Sequence, residues 1–515
     1  MSRPFVLGVD LGTTGVKVLL LPVDGTEADE ETLEHTIGYP ISVPHPGWSE
    51  QDPDDWWRAT GEAIRHVLHR ARAHAHQVAA LAVSGQMHGA TLLDRSGVVL
   101  RPCILWNDQR SAPQCDEITQ SVSLEGLLNL VGNPALAGFT APKLLWVREH
   151  EPEVYARVAT VLLPKDYINL RLTGKLYTEY SDASGTLLFD VVHTRWSNEL
   201  LAALDLSPDI LPQAVPSTDI IGTVTAEAAR HTGLAEGMPV VAGGADNACA
   251  AIGAGVLEPA QVLTSIGTSG TVVAPVHHPR PDPGARLHLF CHAVPDTWYL
   301  MGVVLSAGGS LRWFRNALAG EEQLRASEEG RDAYEVLMDE VASVPAGSER
   351  LIFLPYLTGE RTPHGDPFAR GTFVGLTPTH TRAHMARSVI EGVTFALADS
   401  VAIMRDMAIV VDSVRATGGG ARSSVWRRIQ SDVFDARVLL VTADAGPALG
   451  AALLAGAGIN AFGSLEEATE RFATVRDEIV PEAETVRRYD AYRKVYDELY
   501  PALRTNFRRL ASLEG

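Results

Sequence analysis

The sequence predicts an α/β protein built from two large domains, and three observations support this prediction. The chain has 515 residues, whereas single domains usually hold about 100–200. Apolar β-rich runs alternate with helical patterns over most of the length. Similar glycine- and hydroxyl-rich turns follow apolar strands in both halves. We predict domains at residues 1–257 and 258–480, with a charged helical extension at residues 481–515.

Composition narrows the class of partner. The chain is 46% hydrophobic and 21% charged, which is ordinary for a soluble globular protein. A formal net charge of -20 repels nucleic acid and anionic membranes, so we expect neither as a partner. Four cysteines without metal-ligand or C-x-x-C spacing are typical of a reduced cytoplasmic protein. We see no cleavable apolar leader, and no apolar stretch approaches the roughly 20 residues that span a bilayer.

The first half begins with a predicted hairpin. Phe5–Asp10 and Val16–Leu21 have the apolar, β-branched composition of strands, and the short turn Leu11–Gly15 joins them. Asp54–His74 has the periodicity of an amphipathic helix, with acidic residues in its first turn. Val78–Ser84 is an apolar run typical of a buried strand.

The second half repeats this organisation. Gln261–Ser265, Trp298–Leu305 and Ser413–Thr417 are predicted strands, and each ends at a glycine-containing turn. A helix is predicted to follow the last of these turns from about Ser424, and a further charged helix is predicted from Pro481.

Three turns have the composition of phosphate-binding loops. They are Asp10–Lys17 (DLGTTGVK), Ser265–Gly270 (SIGTSG) and Ala416–Ala421 (ATGGGA), the last followed by Ser423. Glycine permits close approach of the backbone to a phosphate, and threonine adds hydroxyl donors. The first turn lacks the G-x-x-x-x-G-K-[ST] order of a Walker A loop. Each turn could instead be an ordinary connection, and the repetition in both halves favours a phosphate chain held between two domains.

Three further segments carry candidate polar side chains. Gly243–Asn247 places Asp246 between an apolar run and a helix of small residues, where it could serve as a base or simply cap the helix. Ser84–Gly89 places His88 after a buried strand, where a histidine is more often a structural hydrogen-bonding group than a ligand. Leu105–Arg110 holds a tryptophan beside a charged cluster.

The order of these motifs resembles the actin/Hsp70/hexokinase ATPase clan, and in finer detail the FGGY family of carbohydrate kinases. Gly138–Trp146 resembles the first signature of that family, and Gly371–Leu376 continuing to Ala386–Glu391 resembles the second. The resemblance covers about residues 5–455. It implies two ribonuclease-H-like domains flanking a deep cleft, with the sugar mainly against the first domain and ATP mainly against the second.

The resemblance also implies roles for single residues. Asp246 would be the general base, and Asp10 would assist it. Mg2+ would bind near these two carboxylates, directly or through water. The implied ATP-binding residues are Gly12, Thr13, Thr14, Lys17, Gly267, Thr268, Gly308, Gly309, Gly419, Gly420 and Ser423. The implied sugar-binding residues are Met87, His88, Trp106, Asp108, Asp246 and Asn247.

The Met87-His88 pair resembles the version found in family members that act on xylulose. The resemblance therefore implies ATP-dependent phosphorylation of D-xylulose to D-xylulose 5-phosphate. Alternatives within the family are D-ribulose, a pentitol, L-fuculose or gluconate as the small-molecule substrate. More distant alternatives are an actin- or chaperone-like ATPase and a non-catalytic sugar sensor. Dimers are common in the family, so a homodimer is expected.

Overall fold

The computed structural model describes residues 5–25, 33–441 and 446–513. In this part of the chain, two mixed β-sheets of six and seven strands dominate, with helices on their faces. Five two-stranded pairs add to them. The pairs are Glu50–Gln51 with Cys103–Ile104, Thr91–Leu93 with Thr160–Leu162, Tyr177–Glu179 with Gln213–Val215, Phe189–Asp190 with Arg195–Trp196, and Ile352–Leu354 with Thr372–Val374.

The first sheet combines an antiparallel meander with parallel strands. Its order is Ile220–Thr223, Pro239–Ala245, Val78–Gly85, Phe5–Leu11, Gly15–Pro22 and Glu34–Gly38. The last three strands form the meander, and the hairpin predicted at the start of the chain is confirmed. The three strands Pro239–Ala245, Val78–Gly85 and Phe5–Leu11 run parallel. Their carboxyl ends therefore meet at one edge of the sheet.

The second sheet repeats this order with additional edge strands. Its order is His288–Cys291, Trp298–Val304, Gly270–Val276, Ala260–Ile266, Val411–Thr417, Arg437–Val441 and Val475–Ile479. Here too the first strand in sequence, Ala260–Ile266, heads an antiparallel meander and pairs in parallel with Val411–Thr417. This duplicated order is that of two ribonuclease-H-like units, as predicted.

Helices cover both sheets. Those in the first half are Pro53–Arg70, Ala112–Val122, Leu124–Val131, Thr140–His150, Pro152–Tyr155, Pro164–Thr173, Tyr180–Ala183, Asn198–Ala203, Ala226–Thr232 and Asp246–Gly253. Those in the second half are Gly308–Leu318, Gly320–Glu329, Ala333–Ser343, Arg382–Asp406, Ser424–Phe434, Gly446–Gly458, Leu465–Phe472 and Ala483–Ala511. Short 3-10 helices lie at Ala75–Gln77, Ser184–Thr186, Pro208–Ile210, Ser348–Arg350 and Gly419–Arg422.

The first long helix is shorter than its sequence pattern predicts. It begins at Pro53, where the Asp52 side chain accepts a hydrogen bond from the backbone of Asp54, and it ends at Arg70 rather than near His74. Arg72 has a φ of 51°, a left-handed conformation that cannot continue a right-handed helix.

Helix Gly446–Gly458 lies after the predicted domain boundary but packs against the first sheet. A Cβ on Gly8 would lie 1.9 Å from the carbonyl oxygen of Ala448. A Cβ on Gly450 would lie 1.9 Å from the carbonyl oxygen of Cys249. Only glycine permits such close backbone contact, so this late helix is built into the first lobe.

The C-terminal helix Ala483–Ala511 packs on the second lobe through buried tyrosines. The Tyr489 hydroxyl donates a hydrogen bond to Glu391 Oε1 at 2.8 Å, and Arg493 forms an ion pair with Asp399. No helix among the residues described is long and apolar enough to span a membrane.

Candidate active site

Two carboxylates lie where the parallel strands of the first sheet end. Asp10 is paired in register with Ser84 on the neighbouring strand, and Gly85 is paired with Ala245. Asp246 follows Ala245 directly and opens helix Asp246–Gly253. The three segments on which the sequence placed the base, the metal and the sugar thus meet at one sheet edge.

Burial raises the pKa of both carboxylates, which makes them proton acceptors near neutral pH. Burial raises the pKa of Asp10 to about 7, and the negative charge of Asp246 adds to this effect, against smaller opposing contributions from Lys17 and Ser84. Burial also raises the pKa of Asp246 to about 6, although hydrogen bonds from Asn247 oppose it. A carboxylate with such a pKa can take a proton from an alcohol at neutral pH.

Asp246 does not cap its helix, which was the alternative interpretation. The N-cap residue is Ala245, and Asp246 occupies the first helical position. The Asn247 backbone and side-chain N–H groups both donate to Asp246 Oδ1, at 2.7 and 2.8 Å. The backbone N–H of Ala245 donates to Ser181 Oγ at 2.9 Å. These bonds fix the orientation of the carboxylate.

His88 has a left-handed backbone, with φ at 69°, and is almost fully buried. Its carbonyl oxygen accepts hydrogen bonds from Lys143 Nζ at 2.9 Å and Thr140 Oγ1 at 3.0 Å. Lys143 also donates to the carbonyl of Gly138 at 2.8 Å. A non-glycine residue in this conformation is strained, and such strain is concentrated at functional sites.

The tautomer of His88 follows from its partner. Nδ1 lies 2.5 Å from the carbonyl oxygen of Gly185. Because a carbonyl oxygen only accepts, Nδ1 must carry the proton. Burial, with smaller contributions from the charges of Lys143 and Arg361, lowers the pKa of His88 to about 3 although the hydrogen bond to Gly185 opposes the shift, so the ring is neutral. Nε2 is therefore an acceptor, which suits a sugar hydroxyl that donates.

Met87 joins the histidine segment to the carboxylate and to the second lobe. Its sulfur lies 3.9 Å from Asn247 Nδ2 and 4.0 Å from the Tyr299 hydroxyl. Aromatic rings from both lobes pack beside these contacts. Phe139 packs edge-on against His88 with ring centroids 4.7 Å apart, and Phe290 packs against Phe139 at 6.2 Å. Contacts thus link Met87 to Asn247 and Asn247 to Asp246, and His88 follows Met87 directly in the chain.

Trp106 links the predicted sugar site to the first phosphate turn. Its Nε1 donates a hydrogen bond to Thr13 Oγ1 at 2.9 Å. Gln51 supports the same turn by donating to the carbonyl of Thr13 at 2.6 Å, and the Tyr39 hydroxyl donates to the carbonyl of Gly12. The sequence did not single out Gln51 or Tyr39, because each comes from a separate segment.

Two predicted site residues, Asp108 and Lys17, form ion pairs with other protein side chains. The Asp108 carboxylate is fully buried and accepts hydrogen bonds from the Arg110 guanidinium, 2.7 Å away at the closest, and from the backbone of Ser49 at 2.6 Å. In this geometry both carboxylate oxygens bond to protein groups, because Arg110 folds back over the carboxylate two residues earlier. Lys17 forms an ion pair with Glu34 at 2.7 Å.

The predicted ATP-binding turns of the second lobe converge. A Cβ on Gly308 would lie 2.4 Å from the carbonyl oxygen of Gly267, and one on Gly309 would lie 2.9 Å from that of Thr268. A Cβ on Gly420 would lie 2.7 Å from the Ile266 side chain. The glycines therefore stack three loops in close contact. Gly419 begins the 3-10 helix Gly419–Arg422, and the Ser423 side chain caps helix Ser424–Phe434.

A buried charge cluster behind Asp246 was not predicted. Lys165 Nζ lies 2.5 Å from Asp166, and 3.6 Å from both Glu179 and Asp182. Although burial opposes it, these acids raise the pKa of Lys165. The Ser181 hydroxyl donates to Glu179 at 2.9 Å and so connects the cluster to the backbone before Asp246. Positions 165–182 hold six charged residues, and nothing in the sequence distinguishes these four from Arg171 and Lys175, which take no part in the cluster.

Comparison with known proteins defines the class. Residues 5–253 match the N-terminal domain, and residues 262–459 the C-terminal domain, of the FGGY family of carbohydrate kinases. The chain belongs to this family, and it is an ATP-dependent carbohydrate kinase.

Several relatives that align over nearly the full length of the chain are xylulose kinases. The chain is 41% identical over 496 residues to a xylulose kinase of Bacillus subtilis, covering 96% of each chain. It is 41% identical over 503 residues to a xylulose kinase of Escherichia coli, covering 96% of this chain and 99% of that one. The crystal structure of a ligand-bound xylulose kinase from Lactobacillus acidophilus superposes with a TM-score of 0.90 at 27% identity, covering 98% and 99% of the two chains.

Proposed function

We propose that this protein transfers the γ-phosphoryl group of ATP to D-xylulose and forms D-xylulose 5-phosphate. The observation that carries the proposal is the chain of contacts among Met87, Asn247 and Asp246, next to His88, which joins a base to hydroxyl-binding groups. Relatives at 41% identity that are xylulose kinases support the choice of sugar.

Asp246 is the general base. As the sugar oxygen bonds to the γ-phosphorus, the bond from that phosphorus to the β–γ bridging oxygen breaks, and ADP leaves. Asp246 accepts the proton of the attacking hydroxyl, a transfer that comes late in a loose transition state. Hydrogen bonds from Asn247 hold Oδ1 and orient the carboxylate.

Asp10 and Asp246 would hold Mg2+, directly or through water. Asp10 Oδ1 is buried and has no hydrogen-bond partner among the residues described, and the negative charge of Asp246 raises the pKa of Asp10. A divalent cation at this position would give Asp10 Oδ1 a partner and would offset the repulsion between the two carboxylates. Mg2+ commonly uses one or two carboxylates plus phosphate oxygens. The ion would supply charge neutralisation at the phosphates.

The phosphates of ATP bind between the two turns that follow the first strand of each lobe. Thr13 and Thr14 contact them from the first lobe, together with Gly12, and Gly267 and Thr268 contact them from the second. Gly308 and Gly309 border the ribose and phosphates. Gly419, Gly420 and Ser423 border the adenosine. Lys17 acts through its charge, since it already pairs with Glu34.

The sugar binds mainly to the first lobe. His88 Nε2 accepts a hydrogen bond from a sugar hydroxyl, Met87 gives an apolar contact, and the Trp106 ring packs against the carbon skeleton. Asp108 has a positioning role, because it anchors the loop that carries Trp106.

ADP production with Mg-ATP tests the proposal against D-xylulose, D-ribulose, L-ribulose, xylitol, D-arabinitol, gluconate and glycerol. We expect the highest kcat/KM with D-xylulose. A higher value with another polyol would leave the Asp246 mechanism in place and replace the substrate. Absence of stimulation by every polyol would contradict the proposed reaction.

A further inference from the structure

Arg361 lies on a rigid segment of the second lobe that faces the sugar site. The backbone N–H of Thr362 donates to the carbonyl of Val303 at 3.0 Å, and the backbone N–H of Val303 donates to Thr362 Oγ1 at 3.1 Å. The backbone N–H of Leu305 donates to Glu360 Oε1 at 3.0 Å. These bonds on both sides of Arg361 attach it to the end of strand Trp298–Val304.

The side chain of Arg361 reaches the first lobe. Its Nη2 lies 3.6 Å from the position that a Cβ would take on Gly138, the residue before Phe139 in the first family signature. The guanidinium therefore lies next to Gly138, at ordinary van der Waals distance from that Cβ position. Besides the larger effect of burial, the charge of Arg361 lowers the pKa of both His88 and His288. Geometry and electrostatics thus place this cation beside the predicted sugar pocket.

No carboxylate within the described ranges lies at ion-pair distance from the Arg361 guanidinium. The neighbouring Glu360 bonds through Oε1 to the backbone N–H groups of Leu305 and Arg361. Burial lowers the pKa of Arg361, while the charge of Glu360 opposes this effect. A guanidinium has five N–H donors and no acceptor. A ligand with accepting oxygens would satisfy these donors.

The position of Arg361 indicates which end of the sugar it meets. Its guanidinium lies against Gly138, next to Phe139, whose ring packs on His88, and within the described ranges no hydrogen bond or ion pair joins it to Asp10 or Asp246. We therefore place it on the His88 side of the pocket, away from the reacting hydroxyl. In a ketopentose phosphorylated on O5, the opposite end carries the C2 carbonyl. A carbonyl oxygen only accepts hydrogen bonds, which matches a donor-only guanidinium.

We propose that Arg361 is a sugar-binding residue that donates hydrogen bonds to the carbonyl end of the ketose and so favours a ketose over a pentitol. This inference rests on the proposed function and adds a specificity residue from the second lobe. His88 then accepts from a hydroxyl while Arg361 donates to the carbonyl, so each group is paired with the oxygen chemistry it can serve.

The test compares Arg361→Gln and Arg361→Lys with the wild type. We expect Arg361→Gln to raise the KM for D-xylulose about 10- to 100-fold, as for loss of a charged hydrogen bond, with the KM for ATP changed by less than about threefold. The ratio of kcat/KM for D-xylulose to that for xylitol should fall. Arg361→Lys should recover part of the sugar affinity, which a purely structural role would not require.

Arg370→Gln is the matched control, because Arg370 is exposed in the same segment and donates to the carbonyl of Pro367. We expect it to leave both KM values unchanged. Equal effects of the two Gln variants, or equal changes in sugar and ATP KM for Arg361→Gln, would overturn the inference. If Arg361→Gln fails to fold, Arg361→Lys takes its place. A sugar KM that rises while the ATP KM stays unchanged supports the inference, and equal changes in the two KM values overturn it. A wild type that phosphorylates no ketose would instead contradict the proposed function.

Discussion

The indole Nε1 of Trp106 donates a hydrogen bond to the hydroxyl of Thr13 at 2.9 Å. The two residues come from a predicted sugar-binding loop and a predicted phosphate-binding turn, so a direct contact couples the two halves of the site. Arrival of the sugar against the indole would therefore also restrain the Thr13 hydroxyl.

Trp106→Phe tests this coupling, because it keeps an aromatic ring and removes the N–H group. We expect the KM for ATP to rise about 2- to 10-fold, as for loss of one neutral hydrogen bond. Steady-state kinetics at saturating D-xylulose measure it. Trp313→Phe, at a partly exposed aromatic residue of the second lobe, is the control. An unchanged ATP KM in Trp106→Phe would show that the contact has no role in nucleotide binding.

Asp246→Asn removes the proposed base and keeps the size of the side chain. We expect kcat to fall about 10²- to 10⁴-fold, the usual contribution of a general base. ATP binding, measured by calorimetry, should remain detectable because the ATP-binding turns are unchanged. Near-normal turnover in this variant would refute the assignment of Asp246.

The rate should depend on pH through the same group. A base acts in its ionised form, and the pKa of Asp246 is raised to about 6 by burial. We therefore expect kcat/KM for the sugar to decline as pH falls below about 6 and to level off above about 7. Initial rates in overlapping buffers of constant ionic strength measure the profile. A flat profile between pH 5 and 8 would contradict a raised pKa.

The folding stability should fall as pH rises, whereas the rate should increase. A carboxyl whose pKa is raised on folding binds its proton more tightly in the folded state, so folding stability is lost as pH rises from the unfolded value to the folded value of about 6. Asp246→Asn should therefore raise the unfolding temperature at pH 8 and change it little at pH 4. Asp490→Asn, at an exposed position, should change neither value. A lower unfolding temperature for Asp246→Asn at pH 8 would contradict this reasoning.

Lys143→Met tests how the left-handed conformation of His88 is held. The change leaves the buried carbonyl oxygen of Gly138 without its Lys143 donor, so we expect a loss of about 1–3 kcal/mol in the free energy of unfolding. The KM for the sugar should rise as the segment around His88 relaxes. Denaturant unfolding and steady-state kinetics measure the two effects. Lys494→Met, at an exposed position, is the control, and equal behaviour of the two variants would contradict the role of Lys143.

Local sequence patterns predicted the turns and strand ends well. Asp10, His88 and Asp246 each follow an apolar β-rich run, and parallel pairing brings the three strand ends together. The contacts that the sequence did not reveal join distant segments. The carbonyl of His88 is held by Lys143, which lies 55 residues further along the chain. No periodicity or spacing encodes such a contact, because it depends on how the tertiary structure packs.

Asp108 shows that a local motif does not determine what a side chain contacts. An acidic residue beside a tryptophan in a charged loop has the composition of a sugar contact, and the motif predicted one. In the structure Asp108 is buried under Arg110, which donates a bidentate set of hydrogen bonds to its carboxylate. Side-chain direction within such a loop depends on the neighbouring Glu50, which also pairs with Arg110 and comes from 60 residues earlier.

Helix Gly446–Gly458 has a consequence for biosynthesis. It rests on the backbone of Gly8 and Cys249, so the first sheet reaches its native packing only when this late segment is present. Almost nine-tenths of the polypeptide must therefore be synthesised before the earliest strands can be fully covered. We therefore expect the nascent first lobe to leave part of its sheet uncovered until most of the second half has been translated.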